Sequence, residues 1–311
     1  MQSEISDVLV SVAIVTYNHE KFISQAIDSV LSQKVNFNFE IIIGEDCSTD
    51  KTRDICILYQ NKYPHIIKLI LNDKNVGLRK NNITTWSTCS GKYIALCEGD
   101  DYWTDSCKLQ KQVDFLESNN DYSTCFHQTM IKHDQMDESD RLFTTNISKN
   151  IFEFNDIVER WISHTTSLVF RNFFNENPNH PIFTSPLFWS DRPLEAFLAK
   201  QGKYYYMDEA MSCWRQYDGN MSKSKKLHEL NMEGAEAFRM MIQIFPESKK
   251  ILSEQVVRWS LLASEFVYSK RKWILFMKYS YYSFTNINSW LGFKNYTKSL
   301  FFILINKKIY A

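Results

Sequence analysis

Three carboxylates are crowded into four positions of the segment KYIALCEGDDYWTD, residues 92–105. A short apolar run typical of a buried strand leads directly into Glu98, Asp100 and Asp101. Like charges at this spacing repel one another and resist desolvation, so the group requires open water or a cation. Glu98 and Asp100 can face one side of an extended segment, where two carboxylates suit Mg²⁺ or Mn²⁺. The segment therefore predicts a divalent metal site that bridges to the phosphates of a ligand.

Hydrogen-bonding residues also follow two other predicted strands. The first strand ends in TYNHE, residues 16–20, and the second in EDCSTD, residues 45–50. Ligands of parallel sheets bind beyond the carboxyl ends of the strands, so these segments and residues 98–101 are expected at one edge. The chain has neither the glycine-rich dinucleotide fingerprint nor a P-loop. The predicted edge is thus acidic and reaches a diphosphate through a metal.

Strand-like runs alternate with helical patterns along the first part of the chain. The runs are Val8–Thr16, Glu40–Gly44, Ile66–Leu71 and Tyr93–Cys97. Such alternation predicts an α/β protein with a mostly parallel, doubly wound sheet flanked by helices.

Composition narrows the class of protein. The 311 residues are 44% apolar, which is enough for a sizeable core. The 36 basic and 36 acidic residues balance, which argues against a nucleic-acid partner bound through bulk charge. The seven cysteines include no C-x-x-C pair, so a reducing cytoplasm is expected rather than a disulfide framework. No signal-peptide pattern and no run of about 18 uncharged apolar residues occurs, so neither secretion nor a membrane span is expected.

Three segments resemble, in the expected order, motifs of the inverting family 2 glycosyltransferases, which have the nucleotide-sugar-binding GT-A fold. They are VSVAIVTYNHEKFISQAIDSVLSQ for the opening strand and helix, EDCSTDKT for the "DDGSTD" loop, and YIALCEGDDYW for the metal-binding D-x-D segment. The resemblance covers roughly residues 8–220. It implies a GT-A sheet domain over residues 1–222.

The resemblance implies roles for individual residues of the donor side. Thr16 and Tyr17 would line the nucleotide pocket, and Asp46 would hydrogen-bond the base. Asp100 would hold Mn²⁺ or Mg²⁺. Glu98 stands where the family usually has the first Asp of its motif, and is expected at the ribose or the metal.

The acceptor side is expected in the following segment of the chain. Asp101 is interpreted as supporting its loop or capping the next helix. The segment ISHTTSLVFRN predicts a strand at Thr166–Phe170, and His164 at its entrance is expected to orient the acceptor. The resemblance places Trp214 and Arg215 in a lid over the diphosphate.

The resemblance also implies that Asp191 is the general base. Ser190 can cap the helix that follows, and the positive end of this helix is expected to keep Asp191 ionised. Without the resemblance, Asp191 reads as an ordinary first-turn aspartate.

Residues 223–311 differ in character from the rest of the chain. Apolar spacing predicts helices at Leu227–Phe245 and Ile251–Tyr268, separated at Pro246. Residues 249–311 carry eleven Lys and Arg against two Glu, a net charge of +9. Basic and aromatic residues alternate there, which is typical of a helix lying on an anionic membrane surface. The expected apolar anchors are Trp273, Phe276, Tyr281, Trp290 and Phe301. Packing on the sheet domain or on another subunit of a homo-oligomer is the open alternative.

The sequence therefore predicts a metal-dependent, inverting hexosyltransferase. It would move sugar from a nucleotide-diphosphate sugar to a glycan or lipid-linked acceptor during synthesis of a surface polysaccharide such as a capsule or O-antigen. It is expected in the cytoplasm, peripheral to the inner face of the plasma membrane. A sugar nucleotidyltransferase and a non-catalytic nucleotide-sugar-binding module remain open; the first usually has a glycine-rich phosphate loop, which is absent after Val15.

Overall fold

The computed structural model describes residues 8–133, 139–144, 147–174, 180–184, 191–218, 226–287 and 290–304. The described residues form two compact units. The first, which we call the sheet unit, lies within Met1–Ile157, Trp161–Phe183 and Phe197–Tyr217. The second, which we call the helical unit, lies within Val158–Arg160, Thr184–Ala196 and Asp218–Ala311. The predicted boundary at residue 222 lies outside the described residues.

One sheet contains the ten strands of the described chain. They are β1 Val10–Thr16, β2 Phe39–Glu45, β3 Ile67–Leu71, β4 Tyr93–Glu98, β5 Tyr102–Trp103, β6 Tyr122–His133, β7 Arg141–Leu142, β8 Ile151–Phe152, β9 Val169–Arg171 and β10 Lys203–Gln216. Their order is β3-β2-β1-β4-β9-β6-β10-β5, with β7 paired to β6 and β8 to β10. Parallel pairing holds β3-β2-β1-β4 together and joins β6 to β10, whereas β9 runs antiparallel to both its neighbours. The predicted α/β class is confirmed.

Helices follow the strands along the chain. They are α1 Ile23–Leu31, α2 Thr52–Lys62, α3 Leu78–Ser87, α4 Lys108–Ser118, α5 Phe154–Glu159, α6 Pro181–Thr184, α7 Asp191–Gln201, α8 Leu227–Ile244, α9 Lys249–Ser269, α10 Trp273–Thr285 and α11 Trp290–Leu304.

The core of the sheet unit explains its sequence pattern. Every residue of β1 is buried, as expected for a central parallel strand covered on both faces. Helix α1 buries Ile23, Ala26, Ile27 and Val30, whose spacing places them on one helical face. The apolar periodicity therefore fixes which side of α1 packs on the sheet.

The predicted strand at Thr166–Phe170 is shorter in the structure. Residues Thr165–Ser167 form a 3₁₀ turn, and β9 starts only at Val169. The His164 carbonyl accepts from the Ser167 N–H at 2.9 Å and from the Ser167 hydroxyl at 2.7 Å. These local hydrogen bonds replace the ladder that an extended segment would need.

Four helices, α8 to α11, dominate the helical unit. The two predicted helices correspond to α8 and α9, with the break at Pro246. A Cβ atom added to Gly234 would lie 2.6 Å from the Trp259 ring, so glycine allows α8 and α9 to approach closely. No helix in the described part of the chain is both long enough and apolar enough to cross a membrane.

Candidate functional site

The carboxyl ends of β1, β2 and β4 lie side by side at one edge of the sheet unit. Thr16 is level with Glu45 on β2, and Val15 is level with Glu98 on β4. The Asp46 N–H donates to the Thr16 carbonyl at 3.1 Å. The structure thus brings together Thr16, Asp46 and Glu98, as the sequence predicted.

The loops after β1 and β2 hold each other in place. Asn18 has a left-handed backbone, with φ of 57°, and its N–H donates to the Ser48 hydroxyl at 2.9 Å. Its side chain accepts from the Thr49 N–H at 2.8 Å, and the His19 N–H donates to the Thr52 hydroxyl at 2.8 Å. Several polar residues of the TYNHE and EDCSTD segments therefore tie the two loops together, and we call these tied loops the loop framework. Tyr17 is exposed beside them.

Asp46 positions the segment that follows β3. Its buried carboxylate accepts from the backbone N–H groups of Val76 at 2.8 Å and Gly77 at 2.9 Å. It also accepts from the Asn72 amide at 3.0 Å. These contacts fix the position of residues 72–77 beside the carboxyl end of β2. The contact of Asp46 with a nucleotide base stays a prediction.

Gly99 allows the acidic segment to pack against the end of β1. A Cβ atom at this position would lie 2.6 Å from the Thr16 hydroxyl and 2.9 Å from the His19 ring. Any side chain there would push the segment away from the loop after β1. The glycine is thus required by a close approach of protein atoms.

Residues 98–101 form a turn, closed by the Asp101 N–H donating to the Glu98 carbonyl at 3.1 Å. This geometry differs from the extended segment on which the pairing of Glu98 with Asp100 was predicted. The turn carries Asp101 back towards Glu98. Carboxylate oxygens of these two residues and a ring nitrogen of His164 lie within 4.8 Å of one another.

Asp101, interpreted from the sequence as supporting its loop or capping the next helix, also belongs to this group of possible metal ligands. Its buried carboxylate accepts from the Arg215 N–H at 2.9 Å and lies 3.8 Å from His164 Nδ1. Burial raises the pKa of Asp101 well above its usual range, and the charges of Asp100 and Glu98 act in the same direction. Only the turn of residues 98–101, which ends at Asp101 itself, could have indicated that Asp101 lies beside Glu98 and His164.

Asp100, the predicted metal ligand, lies on the other side of the turn. Its carboxylate accepts from the Tyr217 hydroxyl at 3.1 Å and lies 3.8 Å from His19 Nε2. It is partly exposed, so it remains accessible to a ligand at this edge. Its assignment to the metal stays a prediction.

His164 is neutral in this environment. Burial lowers the pKa of its ring to about 3, far below the usual value for histidine. A neutral imidazole has one unprotonated ring nitrogen, and histidine binds metals through such a nitrogen. The predicted acceptor-side histidine is thus brought next to the acidic turn.

Arg215 clamps the acidic turn from β10. Besides its bond to Asp101, its Nε donates to the Asp100 carbonyl at 3.2 Å. Its guanidinium lies 4.5 Å from the centre of the Tyr102 ring. The side chain is buried, and the lid role of Trp214 and Arg215 stays a prediction. Residues 219–225, which follow, lie outside the described residues.

Asp191 is the first residue of α7 and belongs to the helical unit. Burial raises the pKa of its carboxyl, whereas the Arg192 N–H, which donates to it at 3.0 Å, favours the charged form. The two influences oppose each other, and ionisation of Asp191 by the helix start stays a prediction. Ser190 lies outside the described residues, and the base role of Asp191 stays a prediction.

Comparison with known proteins agrees with the fold. Residues 11–183 match the model of Glycosyl transferase family 2. An uncharacterized protein of Mycobacterium tuberculosis is 31% identical over 210 residues, which are 67% of this chain and 58% of the relative. An uncharacterized glycosyltransferase of Haemophilus influenzae is 28% identical and aligns over 97% of this chain and 95% of its own.

A solved structure has the same fold. S. aureus TarS 1-349 in complex with UDP-GlcNAc superposes with a TM-score of 0.65 at 16% identity, covering 98% of this chain and 93% of that chain. The fold is that of the GT-A proteins. The chain belongs to glycosyltransferase family 2, which confirms the resemblance seen in the sequence. It spans 58% of the length of the mycobacterial relative.

Proposed function

We propose that the protein transfers a hexose from a nucleotide-diphosphate sugar to a glycan or lipid-linked acceptor, with inversion and with help from a metal, in surface polysaccharide synthesis. The observation that carries this proposal is the grouping of Glu98, Asp101 and His164 at the edge formed by β1, β2 and β4. The loops after β1 and β2 and a group of side chains able to ligate a metal thus lie at one sheet edge, which supports the proposal.

The residues at the turn fit a divalent cation. Two carboxylates and one neutral imidazole lie within 4.8 Å of one another, and repulsion among the acidic groups contributes to the raised pKa of Asp101. A cation would offset that repulsion. Glu98, Asp101 and His164 would hold it, and the nitrogen ligand favours Mn²⁺ over Mg²⁺. When bound, the ion would supply positive charge opposite the diphosphate leaving group.

The protein's own groups perform the remaining tasks. The framework of the β1 and β2 loops binds and orients the nucleotide, with Tyr17 exposed for contact and Asp46 fixing the neighbouring segment. Asp191 takes the proton of the acceptor hydroxyl while the hydroxyl oxygen attacks C1 of the sugar. The bond between C1 and the diphosphate breaks in the same step. A single displacement of this kind inverts the anomeric centre. Family membership disfavours the sugar nucleotidyltransferase, and a non-catalytic module would bind donor without turnover.

Asp101→Asn is expected to weaken metal-dependent nucleotide binding. The asparagine keeps an oxygen for the Arg215 N–H but removes a charge from the candidate metal group. We expect the gain in affinity that Mn²⁺ gives for a nucleoside diphosphate to fall about tenfold or more, because a carboxylate ligand is lost. Calorimetry with UDP and GDP, in Mn²⁺ and in EDTA, measures this gain.

Two further variants make the test specific. Asp121→Asn removes an exposed carboxylate paired with Lys203 at 3.1 Å and should leave both affinities unchanged. Asp100→Asn separates the two candidate ligands. If only Asp100→Asn loses the gain in affinity that Mn²⁺ gives, Asp100 rather than Asp101 is the metal ligand. If this gain is unchanged in both variants, a metal-bridged diphosphate at this turn is contradicted.

We also propose that the protein lies at an anionic membrane surface on the cytoplasmic side, and the exposed side chains of α10 support its contact with the membrane. Five large side chains of α10 each expose more than half of their surface: Trp273, Ile274, Met277, Tyr281 and Phe284. At about 100° per residue they fall within an arc of about 100° on the helix. The opposite side of α10 packs on α9, where the hydroxyls of Ser260 and Ser283 lie 2.6 Å apart.

Charge around this arc suits acidic lipid. Lys270, Arg271 and Lys272 precede α10, Lys278 lies within it, and no acidic residue follows Glu265 in the sequence. Each basic residue near an anionic surface contributes about 1 kcal/mol. Of the predicted anchors, Phe276 instead packs inside the unit, because it lies on the side of α10 away from the arc. The side chain of Trp290 lies outside the described residues.

Met277→Glu combined with Tyr281→Glu is expected to abolish vesicle binding by placing two charges in the arc. Wild-type protein should sediment with phosphatidylserine vesicles at low salt and less so as salt rises. Leu58→Glu, at an exposed leucine of α2, is the matched control and should behave as wild type. If wild type stays in the supernatant and ultracentrifugation shows a dimer that the double variant lacks, α10 is a subunit interface instead.

A further inference from the structure

A group of four rings lies beside the acidic turn in the sheet unit. It consists of Phe143, Trp161, His164 and Trp214, and we call it the aromatic platform. The His164 and Trp214 rings are stacked, with centroids 4.7 Å apart and planes at 26°. Trp161 lies 5.1 Å from Phe143 and 6.0 Å from Trp214, which completes the group.

Hydrogen bonds hold the platform in place from two segments. The Phe143 N–H donates to the Thr129 carbonyl of β6 at 2.8 Å, and the Thr144 hydroxyl donates to the Ile162 carbonyl at 2.8 Å. The segments that carry Phe143 and Trp161 are thus tied to the sheet and to each other. The platform is therefore formed before any ligand arrives.

Trp161 is the outer ring of the platform. Its side chain is 46% exposed, while His164 is buried beneath the group. An exposed aromatic ring offers a flat apolar surface on which a ligand can stack. The C–H groups on one face of a pyranose carry partial positive charge and match the negative face of an aromatic ring.

Sheet order favours the acceptor over the donor as the substrate of this platform. The predicted nucleotide residues follow β1 and β2, whereas Trp214 is on β10 and Phe143 is bound to β6. Strands β4 and β9 separate the two groups in the sheet. The base of a donor would therefore lie on the far side of the acidic turn from the platform. His164 connects the platform to the reaction centre, because its Nδ1 lies 3.8 Å from the Asp101 carboxylate.

We infer that the aromatic platform binds a pyranose ring of the acceptor, so that the acceptor is a glycan chain rather than a bare lipid phosphate. This inference rests on the proposed function, since it assigns the platform to the second substrate of that transfer. Trp161 stacks on the sugar face, and the platform holds the chain end towards Asp101 and His164.

Trp161→Ala is expected to lower affinity for pyranose oligosaccharides tenfold or more, and Trp161→Phe is expected to restore most of it. The probes are trisaccharides to hexasaccharides of glucose, N-acetylglucosamine, mannose and rhamnose, titrated by calorimetry in the presence of UDP or GDP and Mn²⁺. Saturation-transfer NMR on the same mixtures shows whether sugar C–H protons contact the protein. Ile151→Ala shortens a comparably exposed apolar side chain of the sheet unit, 45% against 46%, and should bind as wild type.

The outcomes separate this inference from the proposed function. If wild type turns over a nucleotide-sugar but binds none of the oligosaccharides, or if Trp161→Ala binds them unchanged, the inference is overturned and the transferase stands. If Trp161-dependent oligosaccharide binding occurs without any nucleotide-sugar turnover, the platform stands and the transferase proposal fails. Circular dichroism and nucleotide affinity of each variant show that the fold and the donor edge are intact.

Discussion

Asp191→Asn should reduce sugar transfer by about 10²-fold or more while nucleotide affinity stays close to that of wild type. Asparagine preserves the shape of the side chain but cannot accept the proton of the acceptor hydroxyl, and general base catalysis contributes about 10² to 10⁴ in rate. Steady-state transfer measured with donor and acceptor varied separately should show the loss in kcat. Calorimetric titration of nucleoside diphosphate reports the donor affinity independently.

The pH profile gives this prediction a second readout. Burial raises the pKa of Asp191, so the acid limb of kcat should lie above the pH at which an ordinary aspartate would place it. The limb should be absent from the residual activity of the asparagine variant. Asp54→Asn is the matched control, since Asp54 is a first-turn aspartate of α2 and exposed. If Asp191→Asn transfers sugar at the wild-type rate, another residue is the base and Asp191 is only a helix-start aspartate.

Periodicity was sufficient for the first four strands, because β1 to β4 are regular and their apolar runs stand between helical patterns. The structure extends β2 by one residue at each end and β4 by one residue at its carboxyl end, so Glu45 and Glu98 close their strands. The edge residues Thr16, Asp46 and Glu98 could therefore be placed from strand ends alone. Parallel pairing brings these strand ends to one edge, although β4 lies beside β1 rather than beside β3, which precedes it in the chain.

The metal group shows where sequence reasoning stops. Alternation of faces pairs Glu98 with Asp100 only if the segment is extended, and residues 98–101 turn instead. The hydrogen bond from the Arg215 N–H fixes Asp101, and that partner comes from β10, more than a hundred residues later. A contact of this range leaves no local pattern in the sequence. The sequence did not predict the aromatic platform for the same reason, because its rings come from three separate segments.

One fully buried lysine of the described chain also left no sequence signal. Lys108 begins α4, where a lysine reads as a solvated residue, yet its side chain is fully buried. Its Nζ lies 4.0 Å from the centre of the Trp103 ring and has no hydrogen-bond partner among the described residues. The titratable groups around it are Cys97, Cys125 and His127. Burial raises the pKa of both thiols, that of Cys125 to about 12, and lowers the pKa of His127, so all three are neutral near pH 7.

Lys108→Met is therefore expected to stabilise the protein in a pH-dependent way. Burial lowers the pKa of Lys108 from 10.5 to about 7, so between these values the unfolded chain binds more protons than the folded one. The penalty for burying the amine is complete below pH 7 and is relieved as pH rises towards 10.5. From this shift, the stability advantage of the methionine variant should shrink by about 4 kcal/mol between pH 6 and pH 10.

Urea unfolding of both proteins across this range measures the difference, and comparing them at each pH cancels the titration of other groups. Lys111→Met is the matched control in the same helix, because Asp105 and Glu209 raise the pKa of Lys111 instead. That group stays charged in both states up to about pH 10, so the control difference should be nearly constant over the range. NMR of the Lys108 side chain gives the pKa directly. A Lys108 amine that shows no titration below pH 9, or a methionine variant whose advantage does not change with pH, would mean that the amine reaches solvent or a hidden partner in solution.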